Sequence, residues 1–240
     1  MPEMTLFPDA AASPAATLIS GQTLGRESLQ ALLAAAAQPL QFEGCDFEGA
    51  DLSRLDLRGC SFRHCALMEA SLYAAVLSNT RWQHCRARQA DLEAADLSDA
   101  QFLNCDLNNT TWRRARLSSS AFTDCKLTGA SFEEVAHLGL VFAETLLVGA
   151  DLRKMSFRKL RLNRIDFSEA DLSGCDFRDA VFEGGSLRNA QLKLARFEGA
   201  DLREADLSGL KLVDARLFRG ATIALHQAAA LLAELGIAVA

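Results

Sequence analysis

The sequence predicts an all-β solenoid, a single elongated body of stacked four-sided coils. Two observations carry that expectation. Leu or Phe recurs every fifth residue from Phe42 to Leu217 without a slip in phase, and only Trp82, Ala87, Trp112 and His137 depart from those two types. Two residues before the central position stands a mostly small side chain, Ala, Cys, Thr or Ser with a few Leu and Val, while the flanking −1, +1 and +2 slots are mainly polar. A period of five fits neither a helix nor a strand. A chain keeps such a phase only by stacking on itself. Two inward and three outward slots suit a short extended piece followed by a turn. Four such units close a square, so adjacent coils lie about 4.8 Å apart, and about nine coils make a rod of roughly 43 Å.

Each element follows in order. Residues 1–24 begin with acids where a signal peptide needs basic residues, and read as a flexible tail of a cytoplasmic protein. Residues 25–38 read as a capping helix with Leu29, Leu32 and Leu33 on one side, and Pro39 marks the crossing into the coil. Residues 40–220 form the repeat. Residues 221–240 contain a second helix over 222–235, with Leu225, Ala228, Ala229, Leu232 and Leu235 as its apolar stripe and Gly236 as its stop. That stripe either caps the last coil or joins two rods.

Reading every twentieth residue separates the sides. Phe42, Phe62, Trp82, Phe102, Phe122, Phe142, Leu162, Phe182 and Leu202 form one interior column, expected to stack as rings. The seven cysteines all occupy the small inward slot, so they read as buried structural thiols. His64 and His84 stack on adjacent coils but face outward while Cys65 and Cys85 face inward. Their ligand atoms cannot converge, so neither a metal site nor a cofactor is expected.

The units Ala50-Asp51-Leu52-Ser53-Arg54, Ala95-Asp96-Leu97-Ser98-Asp99, Ala170-Asp171-Leu172-Ser173-Gly174 and Ala205-Asp206-Leu207-Ser208-Gly209 match an A(D/N)LXX motif. The chain resembles the pentapeptide-repeat family, which implies a right-handed quadrilateral β-helix. The resemblance extends distantly to quinolone-resistance (Qnr-type) members. These mimic B-form DNA, engage DNA gyrase or topoisomerase IV, and join end to end through a C-terminal segment. It therefore implies a homodimer through Leu225, Ala229, Leu232 and Leu235.

Composition narrows the function. The net charge is −6 with both signs interspersed, which disfavours direct binding to nucleic acid or an anionic membrane. The longest apolar runs are shorter than a bilayer span. No catalytic constellation stands out, and a filled interior leaves little room for substrate. A non-catalytic protein-binding rod is expected, with three candidate surfaces. The most acidic side carries Asp46, Glu48, Glu69, Asp106, Asp166, Glu169 and Asp206, interrupted by Arg86, Arg88, Lys126 and Arg188. It serves topoisomerase mimicry. Around His137, an expected local distortion, the residues Ala136, Leu138, Val141, Ala143, Leu146 and Val148 point outward if the phase holds. That cluster is either a contact patch or a bulge that buries part of itself. Of it, Leu138, Val141, Leu146 and Val148 serve the alternative function, an adaptor in a bacterial secretion or effector system without DNA mimicry. The third surface is the C-terminal stripe. The basic run Arg153, Lys154, Arg158, Lys159, Arg161 and Arg164 is expected to pair with the coil below, through Glu133–Arg153, Glu134–Lys154 and Glu144–Arg164.

Overall fold

The structure is a computed structural model that describes residues 17–210, 215–234 and 236–238. Strand β1 spans Leu18–Ser20, and helix α1 spans Arg26–Ala35. Strands β2 (Gln41–Glu43), β3 (Ser61–Arg63), β4 (Arg81–Gln83), β5 (Gln101–Leu103), β6 (Ala121–Thr123), β7 (Val141–Ala143), β8 (Arg161–Asn163) and β9 (Val181–Glu183) then recur every twenty residues. The chain ends in a 3-10 turn over Ala215–Phe218 and helix α2 over Leu225–Glu234. All strand pairs are parallel and in register, so Phe42 faces Phe62, Phe62 faces Trp82 and Trp82 faces Phe102. Bridges such as Asp46 to Ala66, Asp51 to Ser71 and Asp56 to Val76 mark the other three sides of the square.

The five-residue unit works by two devices. The residue two after the centre takes a left-handed conformation at every step from Gly44 to Gly199, mostly without glycine, as at Ala74 (φ 53°) and Ala94 (φ 57°). Such a conformation is unfavourable for an L-residue. Here its N–H donates to the coil above, as Ala94 does to the Arg113 carbonyl at 2.9 Å, and the ladder over-determines the turn. The aspartate before the centre accepts the N–H two residues on, at 2.9 Å in Asp51–Ser53 and 3.0 Å in Asp171–Ser173. This Asx turn is the physical reason for the Asp in the motif.

The central side chains fill the interior. Phe42, Phe62, Trp82, Phe102, Phe122 and Phe142 stack with centroids 4.2–5.5 Å apart. Both indole N–H groups are satisfied by a threonine in the small slot, Trp82 by Thr80 at 2.9 Å and Trp112 by Thr110 at 2.7 Å. All seven cysteines are buried and unpaired. Cys45, Cys65, Cys85, Cys105 and Cys125 fall in one column, and their thiols donate to backbone carbonyls such as Arg63 and Phe62. Burial pushes Cys60 up to about 11 and Cys175 up to about 12. Hydrogen bonding to Cys85, followed by burial, raises Cys65 further. Thiolates, the reactive form, are suppressed at these three positions.

Three expectations need correcting. Residues 18–24, expected in the tail, are structured: β1 pairs with β2, Thr23 bridges Asp46, and Ile19 and Leu24 are buried. Apolar Ile19 sits over Phe42 and covers the first coil. The phase also slips at the far end. Phe218, not Leu217, stacks on Phe197 at 4.9 Å, and Asp201 bridges Thr222, both twenty-one residues apart. Finally, α2 presents a different face from the expected stripe. Leu231 and Gln227 are buried, while Leu225 is 85% exposed. Gln227 turns α2 this way because its Nε2 donates to the Leu202 and Ala205 carbonyls at the end of the coil, and its Oε1 accepts the Ala224 N–H. Ala229 and Leu232 are half-buried, and Leu235 lies outside the described residues.

Candidate functional site

Among the described residues the wall of the rod opens beside His137. His137 occupies an interior column otherwise built of Leu57, Leu77, Leu97 and Leu117 below and Phe157, Phe177 and Phe197 above. An imidazole cannot be sealed there without hydrogen-bond partners. Its Nδ1 lies 3.2 Å from the Val135 carbonyl oxygen, and its Nε2 accepts the Ser156 N–H at 3.1 Å. In the regular coils the equivalent N–H and carbonyl bond each other, as Asp96 N–H does to Ala75 at 2.9 Å. The imidazole has taken both partners of one ladder bond.

The consequence spreads over two sides. One coil earlier, the N–H groups of Arg114, Leu117 and Ser119 donate upward to Glu133, Ala136 and Leu138, and Val141 N–H donates to Ser120. The equivalent N–H groups of Glu134, His137, Gly139 and Arg161 have no such bond among the described residues. Pairing resumes at Glu144 N–H to Asn163, 2.8 Å. The strands accordingly divide into a seven-stranded sheet, β1 to β7, and a separate β8–β9 pair. Two openings flank His137 and share Val135 with it. The smaller, about 280 Å³, lies between Glu133, Glu134, Arg153 and Lys154. The larger, about 570 Å³, lies among Ala136, Leu138, Leu140, Arg158 and Leu160.

The expected apolar cluster is partly there. Leu138 is 85% exposed, Leu146 40% and Val141 36%, and Ala136 is exposed as well. Val148 is half-buried, and Ala143, expected outside, is buried. Leu160, two residues before the central Leu162, is 38% exposed beside the opening. The position of His137 was the available signal for it.

The basic run is paired unevenly. Arg164 meets Glu144 at 2.5 Å, Arg161 meets Glu183, and Arg153 reaches Asp151 at 2.6 Å and Glu133 at 4.0 Å. The expected Glu134–Lys154 pair does not form, because the ladder between those coils is open. Lys154 and Lys159 have no ion pair among the described residues, and Arg158 has only Asp179 at 3.9 Å.

The acidic side is an alternating wall. Its bridge ladder runs Asp46, Ala66, Arg86, Asp106, Lys126, Leu146, Asp166, Ser186, Asp206. Glu48, Glu69 and Glu169 project beside it. Its aspartates are already engaged: Asp46 accepts from Glu48 N–H, Asp166 from Ser168 N–H, Asp206 from Ser208 N–H, and Asp106 pairs with Arg88 at 2.6 Å. Leu146 and Val148 sit in the middle of this same wall. On the outside of the rod, His64 and His84 stack at 4.9 Å. Among the described residues no group of three or more potential ligands is placed to hold a metal, and no helix is long and apolar enough to cross a membrane.

A pentapeptide repeat region matches over residues 35–112, 55–132 and 111–192, and pentapeptide repeats (8 copies) over residues 186–217. The chain belongs to the pentapeptide-repeat family. Among solved structures it is similar to QnrB1, a plasmid-mediated fluoroquinolone resistance protein. For one trypsin-treated variant of QnrB1 the TM-score is 0.56 at 20% identity, over 94% of this chain and 100% of that one. A second gives 0.53 at 22% identity, over 94% and 98%. The full-length protein gives 0.51 at 21% identity, over 92% and 98%. At such identity these likenesses show the shared fold. Among curated proteins none matches. What distinguishes this pentapeptide-repeat rod in its own geometry is the opening at His137.

Proposed function

We propose that this chain is a non-catalytic protein-binding rod whose specific partner is a type II topoisomerase, DNA gyrase or topoisomerase IV, which it modulates or protects against drugs or toxins. The carrying observation is a rod filled by its own side chains with recurring carboxylates on one outer wall, in a fold that spans nearly the full length of QnrB1. Away from the opening at His137 the packed core leaves no cleft, which directs binding to the walls. Asp46, Glu48, Glu69, Asp106, Asp166, Glu169 and Asp206 would present charge to a cationic DNA-binding saddle, which favours encounter. Leu225, Ala229, Leu232 and Leu235 would join two rods end to end. The test is DNA supercoiling by gyrase with and without a fluoroquinolone. Protection of supercoiling, reduced by Glu69→Lys with Glu169→Lys, is the expected result. Neither inhibition nor protection at micromolar protein would remove the topoisomerase reading.

A second reading has its own support. Leu138, Val141 and Leu146 are exposed apolar residues, and the acidic wall alternates with Arg86 and Lys126. An interaction scaffold or adaptor in a secretion or effector system, without DNA mimicry, fits those features. Leu146→Asp with Val148→Asp is expected to leave the coil folded and to abolish partner binding. Unfolding of the double variant would remove that patch.

A further inference from the structure

We propose that the opening beside His137 is a docking groove for an extended peptide of a partner protein, carrying apolar side chains and a carboxylate. The proposal rests on the reading of the rod as protein-binding, but not on topoisomerase as the partner.

Three independent features define the occupant. The first is backbone. The N–H groups of His137 and Gly139, both lining the larger opening, have no ladder partner among the described residues. Unpaired backbone groups lose free energy unless a partner or water reaches them. An extended peptide supplies carbonyls at strand spacing, the chemistry of strand addition. The second is apolar surface. Ala136, Leu138 and Leu160 line the larger opening, and they suit alternate side chains of an extended segment. The third is charge. Apart from the imidazole, Arg158 is the only ionisable residue lining the larger opening, and the adjacent Lys159 has no ion pair among the described residues. Glu133 and Glu134 line the smaller opening instead, so the carboxylate of the peptide is directed to the Arg158 end. Nucleic acid fits less well, because the groove has apolar walls and no aromatic platform for bases.

The probe is a fluorescein-labelled peptide, Asp-Leu-Val-Leu-Asp-Val-Asp, titrated with the full chain and followed by anisotropy. The controls are the same peptide with lysine for aspartate, and a labelled single-stranded oligonucleotide. Saturable binding of the acidic peptide is expected, with the lysine peptide weaker by about tenfold or more. Leu138→Asp and Leu160→Asp alter exposed side chains and are expected to keep the circular dichroism spectrum while weakening binding by about tenfold each. Amide exchange at His137 and Gly139 is expected to slow when the acidic peptide is bound. The proposal is overturned by absence of saturable acidic-peptide binding, by equal binding of the lysine peptide, by undiminished binding to folded variants, by unslowed exchange, or by preference for the oligonucleotide. Loss of the groove with the supercoiling effect intact leaves the acidic-wall reading standing. The opposite outcome leaves the groove standing without topoisomerase.

Discussion

The two halves of the rod fill their interior on different sides. From Phe42 to Phe142 the aromatic stack runs down one column. From Phe157 through Phe177 and Phe197 to Phe218 it runs down the neighbouring column, with centroids 4.8–4.9 Å apart. The handover falls where the wall opens, and His137 and Leu162 hold the vacated places. Change of residue type at a central position is not enough to open a wall. Ala87 is small, yet its N–H still bonds Asp106 at 2.8 Å. Trp82 and Trp112 carry a polar hydrogen, yet each has a threonine for it. Of the three departures with a polar ring hydrogen, His137 is the one whose bonds go to the backbone. A solenoid tolerates variation in volume, and yields where a buried side chain takes ladder bonds.

The largest expected effect lies in the regular half. Leu117→Ala removes a fully buried side chain and is expected to destabilise by about 3 kcal/mol. The exposed Leu138→Ala next to the opening should change stability by less than about 0.5 kcal/mol. Urea unfolding of the two variants measures the contrast, and similar losses would break it.

Next comes repair of the opening. His137→Phe returns the Val135 carbonyl and Ser156 N–H to each other and joins Leu117 to Phe157 through an apolar side chain. A gain of about 2 kcal/mol is expected from that burial, together with slower amide exchange at Gly139 and Arg161. Unchanged exchange would show that the open ladder has another cause.

Turn strain gives a smaller effect, shared by both halves. Ala94→Gly relieves a left-handed alanine at φ 57°, and a gain of about 1 kcal/mol in thermal unfolding is expected. Lys154→Gly, at φ 64° beside the opening, should gain less if the open coil already relaxes its turn.

The smallest effect is electrostatic. Hydrogen bonding from Arg178 holds the Asp176 carboxyl below its usual range, and Arg153 and Arg203 do the same for Asp151 and Asp201. A carboxylate with a depressed folded value contributes stability above its unfolded value, about pH 4, and that contribution is lost as pH falls through the folded value. Asp176→Asn should therefore flatten the loss of stability below about pH 4, by about 1 kcal/mol or less. An unaltered acid profile would exclude the pair as a contributor.

The sequence by itself determined the coil. Leu, Phe and Ala at fixed slots leave one way to bury every apolar residue, so period, inward faces and thiol burial were all legible from Phe42 to Leu210. The His137 position marked the distortion, because a polar ring in an apolar column has to find partners. Which partners it took, and hence that Glu134, Gly139 and Arg161 lose theirs, is a matter of atoms nineteen or twenty-one residues away, which only the stacked structure brings together. The same holds for residues 18–24, whose short apolar segment gains its value only against Phe42. It holds too for α2, where Gln227 sets the buried face. Periodicity reports which side chains face inward along a chain, whereas the bonds that close the ends and open the wall depend on register between coils.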